Sequence, residues 1–130
     1  MREGCGIFGV FAPGLDTARL VFFALFALQH RGQECAGIAV SGDERIQVTA
    51  HPGLVAQVFT ENDLAALKGS AAIGHTCYST CNSGCDTRKS ATPQPILAEH
   101  DGWVVAVSHN GNITNADLLR SELQDLGQEF

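Results

Sequence analysis

Five short stretches rich in isoleucine, valine or phenylalanine, at residues 7–11, 37–40, 46–49, 71–74 and 103–108, constrain any fold of this 130-residue chain. Runs of that length, bounded by glycine, proline or polar residues, read as strands. Three helical stretches lie among them. The first follows Pro13-Gly14, takes Asp16 as N-cap, runs through Leu20-Val21-Phe22-Phe23-Ala24-Leu25-Phe26 and stops before Gly32. It is apolar nearly all round, which predicts a place between other layers. The second begins at Thr60, with Asp63 three residues later in a capping-box-like spacing, and ends at Gly69. The third begins at Thr114 or Asn115, sets Leu118, Leu119, Leu123 and Leu126 on one face, and closes at Gly127. This order of elements gives an α/β class with paired strands and leaves the topology open.

Apolar residues make up 45% of the chain and charged ones 17%, so it can build a core and lacks the composition of a disordered segment. Eight basic against fourteen acidic residues leave a net charge of −6, and Arg88-Lys89 is the only adjacent basic pair. A nucleic-acid or anionic-membrane partner is therefore not expected. The longest apolar run, residues 20–28, is about half a membrane span. Cys5 and two glycines interrupt the first apolar stretch, which removes the pattern of a secretory leader. Five cysteines is an odd number in such a chain, and reduced thiols in a cytoplasmic protein are expected rather than a disulfide framework.

Four constellations carry chemistry. Cys5 opens the first strand, Cys5-Gly6-Ile7-Phe8-Gly9-Val10-Phe11. It is either a small buried edge residue or, if residues 1–4 are removed, a thiol and a free α-amine on one carbon. Such an amine, with an unperturbed pKa of about 7.7–8.0, acts as a local base near neutral pH. His30-Arg31-Gly32-Gln33-Glu34 either caps the first helix, with Gly32 supplying a left-handed turn, or builds a site. His109-Asn110-Gly111-Asn112 is first a turn, and also sets an amide side chain beside an unobstructed backbone N–H, the equipment of an oxyanion hole. Gly74-His75-Thr76-Cys77-Tyr78-Ser79-Thr80 is a polar run suited to gripping a small polar ligand. Cys77, Cys81 and Cys85, with His75 nearby, raise a metal or thiol cluster, but the spacing matches no common zinc pattern.

Taken together and in order, these runs resemble the glutaminase domain of class II glutamine amidotransferases, which are N-terminal-nucleophile hydrolases. The matching pieces are Cys5-Gly6-Ile7-Phe8-Gly9, His30-Arg31-Gly32-Gln33-Glu34 with Ala36-Gly37-Ile38, Gly53-Leu54-Val55 with Gln57-Val58-Phe59, Gly74-His75-Thr76, Gln94-Pro95 and His109-Asn110-Gly111-Asn112. Residues 27–34 and the Gly-Leu-Val-x-Gln-Val-Phe stretch point within that class to the amidophosphoribosyltransferase branch of purine synthesis.

The resemblance implies an αββα four-layer sandwich, incomplete in this chain, with residues 1–4 a removed leader and residues 5–130 the N-terminal part of a glutaminase domain. It implies Cys5 as the nucleophile that attacks glutamine, with Asn110 through its side chain and Gly111 through its N–H as the oxyanion donors. Tyr78 and Thr80 would contact substrate, and Arg31 would support the site. No cofactor is implied in this chain. Phosphoribosyl pyrophosphate and Mg²⁺ belong to a further phosphoribosyltransferase domain, and a homo-oligomer, often a tetramer, is implied for the whole protein. Two departures stand out. The family has arginine at the position of Cys77, where it holds the substrate's α-carboxylate, and a thiol cannot make that bidentate, charge-assisted pair. Arg88 is a candidate substitute. The family's acidic run that binds the α-amine would also fall beyond Phe130. A domain that keeps the fold for binding or assembly alone is the alternative reading.

Overall fold

The computed structural model describes residues 4–78, 92–111 and 113–128. Strands β1 (Gly6–Phe11), β2 (Cys35–Ser41), β3 (Ile46–Pro52) and β4 (Ala71–Cys77) form one sheet in the order β1-β4-β2-β3. All neighbours are antiparallel. β4 inserts between β1 and β2, so the start of β1 meets the end of β4, with Gly6 opposite Thr76 and Cys35 opposite Cys77. The predicted strands are all present, and β2, β3 and β4 run longer than the apolar stretches alone indicate.

Helix α1 (Thr17–Ala27) covers one face of this sheet. Asp16 caps it as expected, its carboxylate accepting from the Arg19 N–H at 3.1 Å. Ala18, Val21 and Leu25 are fully buried, and the Val21 and Leu25 side chains press on Gly74 of β4. Ile38 and Val40 of β2 join them, with Val55 and Val58 of the four-residue helix α2 (Val55–Val58). Phe59 and Leu64, the latter on α3 (Glu61–Ala66), complete the core. At α3 the Thr60 hydroxyl accepts from Asp63 N–H at 3.2 Å while the Asp63 carboxylate accepts from Thr60 N–H at 2.8 Å. The Thr60 hydroxyl also donates to that carboxylate at 2.6 Å, and this bond, together with the one from Thr60 N–H, holds the Asp63 carboxyl below its usual value.

The expectation that α1 lies between layers is corrected. Phe23 and Phe26 are 64% and 56% exposed, because the helix has a sheet on one side only among the described residues. A uniformly apolar surface identifies no buried face, and sheet contact selects one.

A second sheet holds β5 (Ile96–His100) and β6 (Trp103–Val107). Asp101 and Gly102 turn the hairpin with φ of 49° and 77°. Positive φ at both central residues is the type I′ geometry that matches strand twist. β5 is absent from the predicted strands, although Asp-Gly marks this turn. An apolar cavity of about 400 Å³ lies between the sheets, lined by Val10, Ala39, Ile46 and Ile73 of the first and Ala106 of the second. Helix α4 (Ala116–Asp125) begins after Asn115 as predicted, and its leucines are exposed. No helix among the described residues is long and apolar enough to cross a membrane.

Candidate active site

Cys5 immediately precedes β1, and the antiparallel register lays it beside the end of β4. Its Sγ accepts from the Tyr78 N–H at 3.5 Å and lies 3.8 Å from the Tyr78 carbonyl, to which the thiol donates. The next residue must be glycine. A Cβ on Gly6 would stand 2.7 Å from Thr76 Oγ1 and 3.0 Å from Leu28 Cβ. That closeness lets Gly6 N–H donate to Thr76 Oγ1 at 3.2 Å, anchoring the backbone beside the thiol. Burial of that bond makes it costly to break.

Two side chains from distant parts of the sequence converge on the Cys5 carbonyl. Arg31 Nε donates to it at 3.2 Å and Asn110 Nδ2 at 3.1 Å. Arg31 comes from a 3-10 turn, Gln29–Arg31, that follows α1. This turn is tied down by Gln29, whose amide donates to the Gly32 carbonyl at 2.5 Å and accepts from Val55 N–H at 2.7 Å. His30 has a different role, its Nδ1 lying 3.1 Å from the Ala27 carbonyl at the helix end. The left-handed turn expected at Gly32 is not found. Gly32 is extended, with φ −159°, and is glycine because a Cβ would lie 2.7 Å from the Cys77 backbone.

Asn110 and Gly111 follow β6, and the Gln94 carboxamide oxygen accepts from His109 N–H at 2.7 Å, holding their turn. The Gly4 backbone lies in the angle between Arg31 and Asn110: a Cβ there would be 3.6 Å from Arg31 Nη2 and 3.8 Å from Asn110 Nδ2. Cys5, Arg31, Tyr78 and Asn110 are therefore assembled at one place, with Gly111 next in chain to Asn110. Thr80, Arg88, Cys81, Cys85 and Asn112 lie outside the described residues.

The run from Gly74 to Cys77 is not an open ligand loop but the end of β4. His75, Thr76 and Cys77 are 0%, 0% and 3% exposed, and Tyr78 alone of the described part opens to solvent. Burial pushes the His75 ring below its usual value, with the neighbouring His109 backbone offsetting part of the effect. Neither ring nitrogen has a partner in hydrogen-bond geometry among the described residues. The expectation of reduced cysteines is also corrected. Cys35 and Cys77 form a disulfide, because they occupy directly opposed positions on adjacent strands with Cα atoms 5.1 Å apart. Cys5 is the free thiol among the described residues. No three His, Cys, Asp or Glu among those residues come together to hold a metal.

The chain is 50% identical over 127 residues to the amidophosphoribosyltransferase of Mycobacterium bovis, which covers 97% of the chain and 23% of that relative. A solved structure described as the allosteric regulatory enzyme of purine biosynthesis superposes with a TM-score of 0.80 at 34% identity, over 95% of this chain and 26% of the other. The glutamine phosphoribosylpyrophosphate amidotransferase of B. subtilis superposes at 0.73 and 33% identity, over 98% and 26%. No family model matches the chain. The chain spans about a quarter of the length of these proteins, whose α/β fold it shares.

Proposed function

We infer that this chain, whose homologues are amidophosphoribosyltransferases, is the glutaminase portion of such an enzyme, releasing ammonia from glutamine through Cys5. The observation that carries the reading is the convergence of Arg31 and Asn110 on the backbone of a cysteine held at the start of a strand. Neither a purely binding nor an assembly domain needs a free thiol in that setting.

Removal of residues 1–4 would free the Cys5 α-amine and clear the angle that Gly4 fills between Arg31 and Asn110. The amine takes the thiol proton and Sγ attacks the side-chain amide carbon of glutamine. Charge then develops on the amide oxygen. Asn110 has two N–H donors, so one can keep the Cys5 carbonyl while the other meets the oxyanion, joined by the Gly111 N–H. Ammonia leaves with the proton, and water resolves the γ-glutamyl thioester to glutamate. Arg31, fixed on the Cys5 carbonyl, orients the nucleophile rather than reacting.

Recognition of glutamine's far end is the weaker half. Cys77 is buried in a disulfide and carries no charge, so a carboxylate must be met by Tyr78, by Thr80 or by a cation elsewhere. The ammonia would serve phosphoribosyl pyrophosphate in a Mg²⁺-dependent domain of the whole protein, a cytoplasmic homo-oligomer of the tetrameric kind. In the full protein, Asn110→Ala should lower glutamate release about 10²–10³-fold, the loss typical of one oxyanion donor. Cys5→Ser should abolish release. Release that survives Cys5→Ser would overturn the reading.

A further inference from the structure

We propose that Cys35 and Cys77 are a redox modification site, a reversible cross-strand disulfide whose state sets the reactivity of the Cys5 thiol. The pair is not incidental to the sheet. Cys35 opens β2 and Cys77 closes β4, in register, with Cα atoms 5.1 Å apart, inside the range that a disulfide spans without backbone movement. Both side chains are buried, at 1% and 3% exposure, beside the open Tyr78 at the strand end.

The bond is placed between the two arms that hold the nucleophile. On one side, Cys77 is covalently next to Tyr78, whose N–H points at Cys5 Sγ at 3.5 Å. On the other, Cys35 follows the segment that carries Arg31, which donates to the Cys5 carbonyl. The same two segments meet where Glu34 N–H donates to the Cys77 carbonyl at 3.1 Å and where Gly32 packs on the Cys77 backbone. Cross-linked, the Tyr78 N–H is held on the sulfur, and a donor aimed at sulfur favours the thiolate. Reduction converts the Cys35–Cys77 bond to two thiols, taking two electrons and two protons from a dithiol that becomes a disulfide. The end of β4 then keeps only its ladder bonds, and Tyr78 N–H is held less firmly on Cys5. The sulfur loses that donor's support, and the nucleophilic rate falls.

The test needs no glutamine, so it stands or falls separately from the glutaminase reading. The full chain is isolated without reductant, and half is treated with dithiothreitol and desalted. Both halves are alkylated briefly with iodoacetamide near pH 7, and Cys5 labelling is quantified by peptide mapping. The untreated protein should yield a Cys35–Cys77 linked peptide and label Cys5 about threefold faster than the reduced protein. Cys35→Ala, and separately Cys77→Ala, should each give one rate, unchanged by dithiothreitol. Absence of the linked peptide, a link to Cys81 or Cys85 instead, or a Cys5 rate equal or higher after reduction would each overturn the proposal. The comparison of oxidised with reduced wild-type protein settles it even where a variant fails to fold.

Discussion

Residues 4–78 and the described residues from 92 onward build one site from very different amounts of packing. The buried apolar core lies between Ala18 and Cys77, and after Cys77 Pro95 is the one buried residue among those described. Along β5 all five residues are exposed, along β6 only Ala106 is half-buried, and α4 buries none of its leucines. Cys5, Arg31 and Tyr78 belong to the packed region, whereas Asn110 and Gly111 belong to the open one. The backbone beside the thiol is thus tied to the sheet interior through Thr76, while the sulfur itself meets the exposed Tyr78 backbone at the strand end. The proposed oxyanion donors hang on the Gln94–His109 bond and on the Asn110–Cys5 bond itself. Positioning of the proposed nucleophile should then depend mainly on global stability, and that of the proposed donors on a few exposed hydrogen bonds.

The largest effect separates the regions by stability. Leu25→Ala empties a fully buried position against β4 and should cost about 2–5 kcal/mol. Leu123→Ala on α4, where the side chain is 40% exposed, should stay within about 0.5 kcal/mol. Urea unfolding of both variants measures the difference. Similar losses would break the comparison, because they would mean α4 packs as tightly as α1.

A smaller effect separates them by function. Gln94→Ala removes the acceptor for His109 N–H and should lower stability by only about 0.5–1.5 kcal/mol. Glutamate release should fall nonetheless, because the turn that aims Asn110 is released, while the iodoacetamide rate of Cys5 stays at the wild-type value. Equal losses in the two measurements would mean that nucleophile and donors are not positioned independently.

The sequence made the packed region's local signals legible. Asp16 and the Thr60/Asp63 pair mark helix starts with groups that meet orphan N–H donors, and both cap as read. The convergence on Cys5 was approachable through family-ordered motifs, which single out Cys5, Arg31 and Asn110 from three separate runs. Relations set by strand register were not visible. Opposed positions 35 and 77 are 42 residues apart in sequence, and nothing local pairs them. Thr76 and the Tyr78 backbone touch the start of β1 only because β4 inserts beside it, and Gly32 is glycine for a contact across that same insertion. Gln94 stood in a motif without a role, since its partner is the backbone of His109 rather than a side chain with a pattern of its own.

The smallest effect tests the seam between the regions, at His75. Its cross-strand neighbour Gly37 is covered by the Gln94 carbonyl, and the His109 backbone lies close to the ring. Burial holds the folded-state ring below its ordinary value of 6.5, so the unfolded chain takes up this proton first as pH falls. The resulting stability is fully present above about pH 6.5 and is lost as pH drops toward the folded value, at no more than about 1.4 kcal/mol per pH unit. Wild-type protein should therefore lose more unfolding free energy between pH 7 and 5 than His75→Gln, in which this proton has no site. Because the His109 backbone lies close to the ring and the Gln94 side chain holds that backbone, Gln94→Ala should shrink the same difference by admitting water. If the His75 contribution persists undiminished in Gln94→Ala, the packed region alone keeps the ring dry, and the open region contributes donors to the site without contributing to its burial.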